Sequence, residues 1–164
     1  MNLIPDSYST YVTAHEKGQI AELTAQKFFI YRGWEMSTPV NTSSPYDLVI
    51  RHPRTGEQKL VQVKALTSKN RSIETYGTGN GKDKGSKRRK TDYAKIGIDI
   101  LFGVDVDTPD NVYLYPLDFY RGKSSINVDK NPSHDVEFIT ERGYRNYKMF
   151  EETATLDLVT HDES

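Results

Sequence analysis

Ser44-Pro45-Tyr46-Asp47-Leu48-Val49-Ile50, answered downstream by Val61-Gln62-Val63-Lys64-Ala65, is the pair of stretches that decides how this chain is read. Leu48, Val49 and Ile50 form a short apolar run entered from a Pro, the pattern of a strand running into a core. Residues 46–51 are expected as one strand and residues 58–65 as the next. The segment His52-Pro53-Arg54-Thr55-Gly56-Glu57 between them has the residues of a hairpin loop. Side chains alternate along a strand, so Leu60, Gln62 and Lys64 share one face while Lys59, Val61, Val63 and Ala65 share the other. If the two strands pair, an acid, an amide oxygen and an ammonium converge. Taken singly each has a plainer explanation: Asp47 as a strand-entry turn residue, Gln62 as a half-buried sheet amide, Lys64 as a strand-end cation whose stem snorkels.

Working outward, residues 17–33 carry a helical stripe of Ala21, Thr24/Ala25 and Phe28, and Gly33 is placed to end it. Glu22 falls near the start of that helix, where the dipole alone favours an acid. Residues 34–38 read as a short strand, and residues 39–45 as a polar loop with Pro at both ends. Beyond the hairpin, residues 68–90 lose all periodicity and read as a long Gly-rich loop. Phosphate-loop readings fail there, because Lys82 precedes Asp83 instead of Ser or Thr. Residues 98–104 and 112–116 form a second hairpin, expected in the sheet interior. A helical turn at 116–120, an edge strand at 125–128 and a helix at 144–152 complete the chain. The order predicts an α/β fold, a mixed central β-sheet with flanking helices. A single domain over 1–164 is expected, with a core at about 17–116, a basic loop at 68–95 and a C-terminal appendage at about 129–164.

Composition supports one folded domain, since 164 residues can bury about 70% of the unfolded surface and the chain has 18 aromatics. With no Cys, a disulfide framework, a cysteine nucleophile and thiolate-bound zinc are all excluded. The four His residues show no metal-ligand spacing, which disfavours a histidine-metal nuclease. Neither a leader pattern nor an apolar run of membrane-spanning length is present, so a cytoplasmic, membrane-free protein is expected. An overall charge of −1 hides an uneven distribution: residues 68–95 hold nine Lys and Arg against three acids. Such a basic patch on an acidic body fits contact with a polyanion. Lys69, Arg71, Lys82, Lys84, Lys87, Arg88, Arg89 and Lys90, with Ser43 and Ser44 of the polar loop, are the expected contacts.

Glu22 on a first helix, Pro45-Tyr46-Asp47 opening a strand and Gln62-Val63-Lys64 on the next resemble the motif set of the PD-(D/E)xK nuclease superfamily. The likeness covers about residues 17–116. Within it, the chain is most similar to the small homing endonucleases of bacteria and phages and, more distantly, to archaeal-type Holliday junction resolvases. The resemblance implies a restriction-endonuclease-like core and a metal-dependent DNA endonuclease acting on double-stranded DNA in a bacterial or phage-infected cell. The site implied is Glu22, Asp47, Gln62 and Lys64, with Mg²⁺, or Mn²⁺ as its substitute, held by Glu22, Asp47, the Gln62 side-chain oxygen and the Val63 carbonyl. Gln62 departs from the usual Asp or Glu and brings no charge, so Glu22 becomes the compensating anion. Cutting two strands requires two sites, hence a homodimer or larger symmetric homo-oligomer. A junction resolvase using the same site, or an inactive DNA-binding module, are the alternatives.

Overall fold

The computed structural model describes residues 12–41, 43–78 and 90–139. Helix α1 (Ala14–Tyr31) opens with a capping box, in which the Thr13 hydroxyl accepts the Glu16 N–H and the Glu16 carboxylate accepts the Thr13 N–H. The helix thus begins three residues before the expected start at Lys17, and the Thr-x-x-Glu signal for it was present in the sequence. Glu22 lies more than two turns inside the helix, beyond the first turn where the dipole would by itself account for an acid. Gly33 does end the helix, at φ +88°.

Strands β1 (Glu35–Ser37), β2 (Leu48–Arg51), β3 (Gln58–Leu66), β7 (Ile100–Asp105) and β8 (Val112–Pro116) make a five-stranded sheet in the order β1-β2-β3-β7-β8. The expected β2–β3 hairpin is present, with Leu48 opposite Val61 and Val49 opposite Leu60. Only the β3–β7 pair is parallel, so the sheet is mixed. Of the second hairpin, β7 is interior as expected, but β8 forms an edge. β3 and β7 lie at the centre, and all six residues of β7 are buried.

Side-chain alternation on these two strands creates two cores. Ala21, Ala25 and Phe29 of α1 cover Leu48, Ile50, Val61, Val63, Ile100 and Phe102 on one face. Phe102 meets both Phe28 and Phe29 edge-on or tilted, at centroid distances of 5.0 and 5.5 Å. On the other face Leu66, Leu101, Tyr93, Tyr115 and Tyr120 form a second cluster around the one-turn helix α2 (Leu117–Tyr120). There the Tyr120 hydroxyl donates to the Ile98 carbonyl.

The stretch expected to be a structureless loop contains strands at its ends. β4 (Ser72–Glu74) pairs with β9 (Ser125–Asn127), and β5 (Tyr76–Thr78) pairs with β6 (Lys90–Asp92) into a ribbon whose intervening residues 79–89 lie outside the description. Three-residue strands with distant partners leave no periodicity to read. The expected C-terminal appendage is bound to the core over residues 129–139. Asp135 pairs with buried Arg32 at 2.8 Å, Trp34 donates to the Glu137 carbonyl, and Ile139 enters the helix-side core. The helix expected at 144–152 lies outside the described residues.

Phe102 is fully buried where helix and sheet meet. Phe102→Ala is expected to lower unfolding free energy by about 3–5 kcal/mol in urea titrations, and a loss under 1 kcal/mol would contradict this packing.

Candidate active site

β2 begins at Leu48, and Asp47 sits at its mouth, attached to β3 by two hydrogen bonds. Its own N–H donates to the Val61 carbonyl at 2.9 Å, and its carboxylate accepts the Val63 N–H at 2.8 Å. The side chain thus takes up a main-chain donor of the neighbouring strand. That contact fixes the carboxylate beside Gln62 and Lys64.

Glu22, on the helix layer, lies within electrostatic reach of Asp47. Partial burial pushes its carboxyl above the ordinary range, and the negative charge of Asp47 pushes it further, with His15 pulling weakly back. Asp47 is also raised, by burial first, while the Val63 N–H and the Lys64 charge oppose the rise. Glu22 of the helix layer thus feels the charge of Asp47, and Asp47 in turn feels the ammonium of Lys64. Among the described residues no group of three or more His, Asp or Glu is placed to hold a metal ion, so any ion here would draw on this pair and on neutral oxygens.

The neutral donors adjoin it. Gln62, at 9% exposure, directs its amide nitrogen to the Val63 carbonyl at 3.4 Å. The two oxygens expected as neutral ligands are thus neighbours, and a half-turn of the amide would present oxygen in place of nitrogen. Two carboxylates with neutral oxygens suit magnesium, which binds through one or two carboxylates and retains waters. Lys64 donates to the hydroxyl of buried Tyr93 at 3.0 Å. It also lines a polar cavity of about 280 Å³ with Ser72, Glu74, Tyr76 and Ser124.

The expected DNA contacts divide. Ser43 is exposed in the loop before Asp47, where its N–H and hydroxyl both donate to the Asn41 side chain. Ser44 is half-buried beside it, and Lys69 is exposed in the turn between β3 and β4. Arg71 is engaged internally: it pairs with Asp105 at 2.9 Å and Asp129 at 3.0 Å and donates to Tyr113. These contacts raise its pKa still further, Asp129 contributing most, so Arg71 joins the β3–β4 turn to the end of β7 and the chain after β9. Lys82, Lys84, Lys87, Arg88 and Arg89 lie outside the described residues, as does the Lys90 side chain. Sequence reasoning passed over Tyr93 and a group of exposed cations, Lys95, Arg121 and Lys123. These three border a cavity of about 600 Å³ that shares Tyr76 and Ser124 with the cavity at Lys64. Nothing in their local spacing marks them, because the fold alone brings residues 95 and 121–123 together.

A helix on a mixed five-stranded sheet, with an acid at one strand's mouth and an amide and a lysine on the next, defines a nuclease of restriction-endonuclease-like fold. The chain belongs to the PD-(D/E)XK endonuclease family, whose model matches residues 12–161. Nucleases of this family generally use divalent metal ions. Among solved structures the chain is similar to a bacterial homing endonuclease, I-Ssp6803I, with a TM-score of 0.53 at 16% identity, covering 88% of this chain and 97% of that one. No curated protein matches the sequence.

Because both acids hold protons more tightly folded than unfolded, ionising them costs stability. That cost is absent below the unfolded values, near pH 4, and complete once pH has passed the raised folded values. Glu22→Gln should therefore be at least as stable as wild type to urea at about pH 7.5, with the margin closing by about pH 4. A variant clearly less stable at neutral pH would contradict the crowding.

Proposed function

We propose that this chain is a magnesium-dependent, homing-type DNA endonuclease that cuts both strands of a particular double-stranded site as a homodimer or larger symmetric assembly. The observation that carries the reading is Asp47, held on β3 by the Val63 N–H, with its charge acting on Glu22 of α1 and itself acted on by Lys64. Two half-buried acids, of which Asp47 raises the proton affinity of Glu22, with no Arg or Lys ion-paired to either among the described residues, suit a bound cation. Asp47 and Glu22 would supply the two charges, and the Gln62 oxygen and Val63 carbonyl the neutral donors, for Mg²⁺ or Mn²⁺. Bound there, the ion would supply a charge that stabilises the phosphoryl oxygens and the leaving alkoxide.

The chain's own residues do the remainder. Lys64 directs its ammonium toward the attacking water and the charge that grows on phosphorus. Asp47 keeps its position through the Val63 N–H. Phosphates flanking the cut lie along Lys95, Arg121 and Lys123, and the basic run from Lys82 to Lys90, which falls between β5 and β6 in sequence, adds cations for the duplex. The homing-type assignment draws support from the fold likeness to I-Ssp6803I, described as a bacterial homing endonuclease.

Incubation with Mg²⁺ should cut plasmid DNA at defined positions, whereas selective cutting of synthetic four-way junctions would replace this reading with a junction resolvase. Lys64→Ala should slow cutting by about a hundredfold or more while leaving DNA affinity within a few-fold. Normal cutting by that variant would remove Lys64 from the site. Neutralising Lys87, Arg88, Arg89 and Lys90 should flatten the salt dependence of binding by about 3 to 4 in log–log slope, and an unchanged slope would exclude the basic run from the interface.

A further inference from the structure

We propose that Tyr93 is the positioning residue of Lys64, holding its ammonium in a single pose, and that Gly77 of the β5–β6 ribbon seats the phenol that does so. The inference rests on the nuclease reading above. Lys64 has four rotatable bonds and would lose much conformational freedom in any single pose. Its Nζ donates to the Tyr93 hydroxyl at 3.0 Å. The phenol is itself immobile. Tyr93 is 4% exposed within the second core, its N–H donates to the Thr75 carbonyl, and its carbonyl accepts the Ile98 N–H. A charged donor on a fixed neutral acceptor is a means of aiming a flexible cation.

Gly77 supplies the second, independent observation. A Cβ built at Gly77 would lie 2.8 Å from the Tyr93 hydroxyl oxygen and 3.2 Å from the ring carbon that bears it. The backbone of β5 thus lies directly against the atom that accepts from Lys64, and only glycine leaves that approach open. Gly77 is opposite Thr91 in the ribbon, and Tyr93 follows the ribbon's second strand. The same ribbon carries the basic residues 82–90 in sequence. A ribbon shifted away from Tyr93 would unseat the phenol oxygen, so β5 also sets the aim of the lysine.

Tyr93→Phe keeps the buried ring and removes only the acceptor, and Gly77→Ala keeps the acceptor and displaces it. Both are compared with wild type in single-turnover cleavage at saturating protein, in DNA affinity measured without cleavage in Ca²⁺, and in the NMR order parameter of the Lys64 ε-methylene. The expected result is a fall of about 10- to 100-fold in the saturated rate for each variant, an affinity within threefold of wild type, and a lower order parameter in Tyr93→Phe. A purely structural role would leave Tyr93→Phe at wild-type rate and order. That result, or a rate loss matched by an equal loss of affinity, would overturn the proposal. If wild type cuts no DNA, the nuclease reading fails by itself, and the order parameter still decides whether Tyr93 holds Lys64.

Discussion

The hydrogen bond from the Val63 N–H to the Asp47 carboxylate is the contact on which the site depends. A strand-entry acid would ordinarily turn to water, where it is fully solvated and loosely placed. Here a main-chain donor of the central strand holds it 2.8 Å away, and β3 in turn is fixed by its antiparallel pairing with β2 and its parallel pairing with β7. Gln62 and Lys64 stand on either side of Val63, so the same strand that holds the acid also carries the amide and the ammonium. The helix then needs only to bring one more charge. Ala21, Ala25 and Phe29 seat α1 on the sheet, and Glu22, next to Ala21, is delivered to the edge of that contact.

This arrangement is electrostatically expensive without a cation. Neither Glu22 nor Asp47 has an ion-pair partner among the salt bridges of the described residues, and each is held above its ordinary pKa by burial. Cations and anions elsewhere are arranged quite differently. Arg32 lies buried against Asp135 and over the Phe28 ring, and Arg71 joins two acids, so the fold pairs charges where its purpose is cohesion. Half-buried acids outside any ion pair, among described residues that pair Arg32 and Asp105, are candidates for a functional site.

Much of this was legible in the sequence, for reasons of range. The β2–β3 hairpin follows from alternation and a short loop, both local, and with it the shared neighbourhood of Asp47, Gln62 and Lys64. Glu22 was legible as a candidate only through its family resemblance, since a residue on a helix gives no sign of which strand it will meet. Its first-turn explanation lapsed once Thr13 and Glu16 were seen to start the helix earlier. Arg71 misled because a basic residue in a basic stretch looks free, and its partners Asp105 and Asp129 are 34 and 58 positions away. Tyr93 left no local signal at all. A tyrosine among many becomes an acceptor for Lys64 only when a crossover returns the chain to the same face of the sheet.

We propose that Glu22 and Asp47 jointly hold one divalent ion, with Glu22 replacing the charge that Gln62 lacks. Calorimetric titration of Mn²⁺ into wild type and Glu22→Gln, without DNA, tests it most directly. One site should be found in wild type, and affinity in the variant should fall about tenfold or more. Equal affinity in the two proteins would place the ion elsewhere and contradict the account.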